Sequence, residues 1–278
     1  MKYRRSGRLV DMTQYLLSHP HQLIPLTFFS QRYESAKSSI SEDIGIVKEV
    51  FETKRLGRLA TSAGASGGVT FVPTVDLEEA EQLVDRLCSQ LQDPSRLLPG
   101  GYLYMMDIIG DPSLSQQLGR IFASYYRAEK IDAVMTMATK GIPLAYAVAA
   151  HLHVPVCIVR HEQRITEGSI VSINYVSGST KRIQTMSLAR RSLKPKSHVL
   201  IVDDFMKAGG TVRGMMDLVE EFQSTVAGVG VLTEAVHEEE KLVGDYTSLT
   251  KLSHVDVKNK AIEVERGNIF QSLFAKDN

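Results

Sequence analysis

Cysteine is nearly missing from this chain: Cys88 and Cys157 are the only two among 278 residues. They fall in a predicted helix and a predicted strand, with no third partner and no metal-ligand spacing. Both are expected to be reduced, buried and structural, with no metal site. No apolar run approaches the roughly 20 residues that span a bilayer. The opening Met1-Lys-Tyr-Arg-Arg5 lacks the apolar stretch of a signal peptide, so a cytoplasmic protein with no membrane partner is expected. Net charge is missing too, since 32 basic residues meet 32 acidic ones. Internal repeats and low-complexity runs are absent. What is left is an ordinary globular composition, long enough for two domains.

The charge is balanced but unevenly spread. Lys2, Arg4, Arg5, Arg8, Arg32, Lys37, Lys48, Lys54, Arg55 and Arg58 crowd the first seventy-odd residues against fewer acids. That asymmetry suggests a head that binds a polyanion on a body that does something else. Leu9, Met12 and Leu16 mark a first amphipathic helix, stopped at His19-Pro20. A short second helix is expected over residues 28–34, with Thr27 as its N-cap. Ser39-Ile-Ser-Glu42 fits a capping box opening a third helix, whose apolar stripe is Ile40, Ile44, Val47 and Phe51. Two short strands, Arg58 to Ser62 and Val69 to Val72, flank a glycine-rich tip.

Three helices and a two-stranded ribbon make a winged helix-turn-helix, with the third helix placed for the major groove of double-stranded DNA. Ser35, Lys37, Ser38 and Ser39 would sit at its start, Arg4, Arg5 and Arg8 would flank the phosphates, and Gly64 and Ser66 would lie in the wing. A solvated basic face or a protein-docking module of the same fold is the competing reading. Pro73-Thr74 is the expected hinge, giving a DNA-binding domain over 1–73 and a second domain over 74–278.

The second domain reads as an α/β fold, a mostly parallel sheet with helices on both faces. Val75 to Leu91 is a helix; Tyr102 to Ile108 is a strand candidate; Leu114 to Arg127 is a helix. Buried strands follow at Asp132 to Ala138 and Pro155 to Arg160, with a helix between them. A hairpin is expected over Ile170–Val176 and Lys181–Met186, turned by Ser177-Gly-Ser179. A further strand spans Val226 to Val236, and the chain closes on a hairpin.

The most informative stretch is Val199-Leu-Ile-Val-Asp-Asp-Phe-Met-Lys-Ala-Gly-Gly-Thr211. An apolar run suited to a strand buried on both faces ends at an acidic pair, then a small-residue loop, then a helix. Free amides at the helix start suit a phosphate, and the acids can accept hydrogen bonds from vicinal hydroxyls. Together they describe a ribose 5-phosphate. Thr139-Lys140-Gly141 ends another strand and offers amides and a lysine to a second phosphate.

The Val199–Thr211 pattern resembles the phosphoribosyl pyrophosphate (PRPP) signature of the type I phosphoribosyltransferase family. Lys207, however, stands where the transferring enzymes carry a small hydroxyl residue. With the winged head, the chain resembles the purine operon repressor family of Gram-positive bacteria over nearly its whole length. The stretches that carry this include Ala36-Lys-Ser-Ser-Ile-Ser-Glu-Asp43, Ala138-Thr-Lys-Gly-Ile-Pro143, Ser172-Ile-Asn-Tyr-Val-Ser-Gly178 and Asp203-Asp-Phe-Met-Lys-Ala-Gly-Gly-Thr211.

That resemblance implies a phosphoribosyltransferase-like sensor that does not transfer the ribosyl group and requires no cofactor. It implies a homodimer that represses purine genes from operator DNA and is released by PRPP, with or without Mg²⁺. The effector residues it implies are Tyr102, Ala138, Thr139, Lys140, Gly141, Arg160, Asp203, Asp204, Phe205, Met206, Lys207, Ala208, Gly209, Gly210 and Thr211. The segment after Arg160 corresponds to the family's flexible hood. An active phosphoribosyltransferase is the alternative. A guanosine alarmone competing with PRPP is a third idea, resting only on the two phosphate loops.

Overall fold

The computed structural model describes residues 3–62, 64, 67–99, 102–162, 168–177, 182–236 and 241–271. The chain divides into two compact units, Met1–Asp76 with His151–His153, and Leu77–Ala150 with Val154–Asn278.

The first unit runs α1 (Arg5–Ser18), β1 (Leu23–Pro25), α2 (Leu26–Tyr33), α3 (Lys37–Thr53), β2 (Gly57–Ser62) and β3 (Gly68–Pro73). The strands form one antiparallel sheet in the order β1-β3-β2. This is a winged helix with the third strand that the sequence pattern did not suggest. β1 is only three residues long and alternates exposed, buried, exposed, with Ile24 inward and opposite Val69. The core takes the expected Met12 and Leu16 from α1 and Ile40, Ile44, Val47 and Phe51 from α3, and adds Phe29 and Tyr33 from α2 with Leu59, Val69 and Phe71 from the sheet.

Both predicted caps are corrected. Pro25, not Thr27, precedes α2, and Ala36, not Ser39, precedes α3; neither end has a side-chain cap. Tertiary burial of the apolar stripe fixes where these helices start, so the cap motif had no vote.

The second unit begins with α4 (Leu77–Leu91), a 3₁₀ turn at Pro94–Arg96, and a ribbon of β4 (Leu97–Leu98) and β5 (Tyr102–Leu103). The strand expected over Tyr102 to Ile108 is overturned after Leu103, because α5 (Met106–Gly110) takes the rest. α6 (Pro112–Tyr125) follows, its N-terminus capped by the Asp111 carboxylate, which accepts from the amides of Ser113 and Leu114 at 2.8 and 3.1 Å.

Next come β6 (Ala133–Met137), α7 (Gly141–Leu152), β7 (Val156–Val159), a hairpin of β8 (Ile170–Val176) and β9 (Ile183–Ala189), β10 (His198–Met206), α8 (Gly210–Glu221), β11 (Thr225–Ala235), β12 (Thr247–Asp256) and β13 (Ala261–Arg266). The main sheet has the order β13-β12-β11-β10-β6-β7. It is parallel throughout except for β13 at one edge. Val199, Leu200, Ile201 and Val202 are wholly buried, as a central parallel strand requires.

β12 was invisible in the sequence beyond its hairpin end because its buried half is polar. Thr250 donates to the Leu232 carbonyl at 3.0 Å and pairs with Thr233 at 2.8 Å, so these hydroxyls are satisfied inside the sheet.

The topology brings two strand ends together at a candidate ligand site. After β6 the chain crosses to β7 on one side, and β10 lies on β6's other side. The carboxyl ends of β6 and β10 therefore flank a switch point, where open α/β sheets place ligands.

Candidate ligand site and nucleic-acid interface

β10 pairs with β6 only from Val199 to Ile201, but with β11 as far as Met206. The strand thus runs through the acidic pair rather than ending at it, and beyond Ile201 it parts from β6. Into that parting project the Ala138–Gly141 turn from β6 and the Asp203–Thr211 stretch from β10. The two meet at Gly141. A Cβ added there would collide with Thr136 Oγ1 and lie 2.6 Å from Asp203 Oδ1. Only glycine lets α7 begin so close to the Asp203 carboxyl. The Ala138–Thr139 peptide in this turn is cis.

Asp203 is 5 % exposed and accepts the Asp204 amide at 3.0 Å. Burial, and then the neighbouring Asp204 charge, push its carboxyl well above the usual carboxylate range. Burial raises Asp204 as well, against its hydrogen bond with Asp203 and the opposing charge of Lys140. Two desolvated carboxyls side by side favour a ligand that brings donors or a cation to them. A vicinal diol brings two donors. Thr136 deepens the floor of the same site: it is fully buried and its Oγ1 has no hydrogen-bond partner. Sequence reading missed it because it lies inside an apolar strand.

Beyond the acids, Phe205 is half-buried, Met206 and Ala208 are buried and Lys207 is exposed. Gly209 takes φ +83° at the N-cap of α8, a conformation suited to glycine. The first turn of α8 carries no acid, so its amides and dipole stay available to an anion. The loop is buttressed from residues 241–246, part of an acidic stretch whose composition suggests a solvated surface; the buried Val243 corrects that reading. The Leu242 amide donates to the Ala208 carbonyl at 3.0 Å, and Val243 packs against Gly209. That segment is anchored by Lys241, bonded to the buried Glu234, which also accepts from the Tyr246 hydroxyl at 2.6 Å.

Arg160 follows β7 and bridges Ser187 of β9 in both directions, at 3.0 and 2.8 Å. Its neighbour His161 is exposed and stacks on Tyr175 of β8 at 6.3 Å between ring centroids. Tyr102 lies on the β4–β5 ribbon and is 70 % exposed. The Gly178–Lys181 part of the hood turn lies outside the described residues.

In the first unit, Lys37 and Ser38 are exposed at the start of α3, whose first turn also has no acid. Ser39 is half-buried, and Ser35 donates its hydroxyl to the Tyr33 carbonyl at 3.1 Å. Arg4 is exposed at the N-cap of α1. Arg5 and Arg8 both reach α3, meeting the two oxygens of Asp43 at 3.0 and 2.9 Å. Asp43 is fully buried, so this clamp fixes α3 on α1. Gly64 has φ +109°, while Ser66 lies outside the described residues.

Residues 4–73 match the model of the bacterial purine repressor N-terminal domain, and residues 106–266 match the phosphoribosyl transferase domain. Over all 278 residues the chain is 59 % identical to the purine biosynthesis transcriptional repressor PurR of Bacillus subtilis, covering 97 % of it. The chain belongs to the PurR family. Other PurR relatives include a transcriptional regulator of Streptococcus pneumoniae, 52 % identical over 97 % of this chain and 98 % of its own length. The PurR of Lactococcus lactis, 45 % identical over 96 % of this chain and 98 % of its own length, is named a purine biosynthesis transcriptional activator. PurR membership accounts for a winged helix and a phosphoribosyltransferase fold in one polypeptide.

Proposed function

We propose that this protein is a PRPP-responsive transcriptional repressor of purine biosynthesis genes, acting on operator DNA as a homodimer in the cytoplasm. The observation that carries this is the meeting of the Asp203–Asp204 pair with the Gly141 turn and the α8 N-terminus, in a chain that also holds a winged helix. The acids take the ribose hydroxyls. The α8 N-terminus, with Lys207 to Thr211, takes the 5-phosphate; Thr139 to Gly141, with Lys140 and Arg160, takes the pyrophosphate. Lys37, Ser38 and Arg4 meet DNA phosphates and base edges. Repression rather than activation follows the more similar, repressor-named relative.

No group of three or more His, Cys, Asp or Glu poised for a metal occurs among the described residues. Mg²⁺ would therefore draw most of its oxygens from PRPP itself and from the acidic pair. PRPP weakens DNA binding only in so far as it binds the DNA-incompetent state more tightly. A mobility shift on purine-operon DNA tests the reading: complexes form in the absence of PRPP and dissociate when it is added. A base-dependent release of pyrophosphate from PRPP would instead favour an active transferase, the reading that the intact acidic pair keeps alive.

A further inference from the structure

The loop that leads into α8 is held from behind by a buried charged network. Glu234 of β11 lies in register with Met206 of β10, just before the loop's Ala208. Its side chain is buried, and three donors converge on it. Lys241 Nζ and the Tyr246 hydroxyl, the latter at 2.6 Å, share Oε2; the Ser248 hydroxyl meets Oε1 at 2.8 Å. Lys241 Nζ also donates to the Tyr246 hydroxyl at 2.7 Å, and the Lys241 side chain is only 17 % exposed. Burial works to raise the Glu234 carboxyl, but the bonds from Lys241, Tyr246 and Ser248 prevail and hold it below the usual range. The residues after Lys241 act on the loop. The Leu242 amide donates to the Ala208 carbonyl at 3.0 Å, and the buried Val243 stands 3.3 Å from where a Gly209 Cβ would be.

We propose that the Glu234–Lys241–Tyr246 network is a strut that aims the Gly209 amide at the ligand's 5-phosphate. The Ala208–Gly209 peptide is trans, so its carbonyl and its N–H point in opposite directions. Leu242 holds the carbonyl, and the Gly209 N–H is thereby turned away from residues 241–243. Gly209 has no Cβ and sits at φ +83°, so without the strut this peptide could turn over at little cost. Turned over, it would meet the phosphate with a carbonyl oxygen, which repels an anion. Lys241 fixes the residue whose amide prevents this. Lys241 and Tyr246 are therefore positioning residues, acting through Leu242 without touching the ligand. The inference rests on the reading that residues 207–211 hold the PRPP 5-phosphate.

The test is calorimetric titration of three probes, PRPP, ribose 5-phosphate and inorganic pyrophosphate, into the full-length wild type, Lys241→Met and Tyr246→Phe. Methionine keeps the length of the Lys241 stem and removes its ammonium. Phenylalanine keeps the Tyr246 ring and removes its hydroxyl, the milder change should the first variant not fold. Each variant should lose about tenfold in affinity for PRPP and for ribose 5-phosphate, the scale of one hydrogen bond to a charged group. Each should bind pyrophosphate, which the Thr139–Gly141 turn takes, as the wild type does. A general loosening of the domain would weaken all three probes alike, so equal losses overturn the inference. Wild-type affinity for ribose 5-phosphate in either variant overturns it too. Wild type that binds neither PRPP nor ribose 5-phosphate would instead remove the reading beneath it.

Discussion

Asp203 and Gly141 face one another across the ends of two neighbouring strands, with 2.6 Å between the Asp203 Oδ1 and the place where a Gly141 Cβ would stand. The acidic pair and the lysine turn are thereby one site. A methyl group at residue 141 must push against Thr136, the carboxylate or the backbone of α7. Gly141→Ala should weaken PRPP binding at least tenfold and leave DNA binding intact, as titration calorimetry and mobility shifts would read. Wild-type PRPP affinity in this variant would separate the two loops again.

The raised carboxyl of Asp203 has a pH consequence. Its pKa in the folded state lies above the ordinary 3.8, so between the two values the native state holds a proton that the unfolded state has lost. Stability then falls as pH rises through that window. Depressed carboxyls such as Asp85 and Asp107 act in the opposite direction. The prediction is therefore a difference: Asp203→Asn should gain Tm relative to wild type as pH rises from 4 to 7. Thermal scans in the absence of PRPP check it, and parallel curves for the two proteins would contradict it.

The Asp43 clamp makes a separate claim about the winged helix. Its carboxylate is wholly buried and the Arg8 side chain only 14 % exposed. Removing one partner of such a pair leaves the other charge uncompensated, at a cost of about 3–5 kcal/mol. Asp43→Ala should lower the urea midpoint followed by tyrosine fluorescence, and weaken DNA binding without changing its salt slope. A reduced slope would mean that Arg5 and Arg8 contact phosphates directly.

Lys37 supplies the contrast. It is exposed at the start of α3, and each DNA phosphate neutralised contributes about 0.9 to the slope of log K against log salt. Lys37→Ala should reduce that slope by about one and weaken binding to all sequences alike. An unchanged slope would take Lys37 off the DNA.

The contrast between Asp203 and Ser39 shows what the sequence could reveal. Val199–Thr211 was legible because each part has its own chemistry: a strand buried on both faces, acids, glycine at a positive φ, then a helix. Ser39 and Thr27 misled because capping residues are common and worth only about 1 kcal/mol, less than burial of Ile40, Ile44 and Phe51. Tyr102 to Ile108 looked like a strand because its residues suit β structure, yet Met106 opens a short helix. Thr136 escaped notice because it lies inside an apolar strand. Val243 serves the loop through Gly209, a neighbour distant in sequence, and spacing along the chain carries no trace of that.

The central claim is that one chain senses PRPP and grips DNA with a single coupling between them. Thermodynamic linkage makes this measurable, because the factor by which PRPP weakens operator binding must equal the factor by which operator weakens PRPP binding. Both affinities can be taken by titration at one salt concentration on the wild type. Equal factors, well above one and lost in an Asp203→Ala, Asp204→Ala variant that still binds DNA, are the predicted result. A PRPP affinity that operator DNA leaves unchanged would contradict the account.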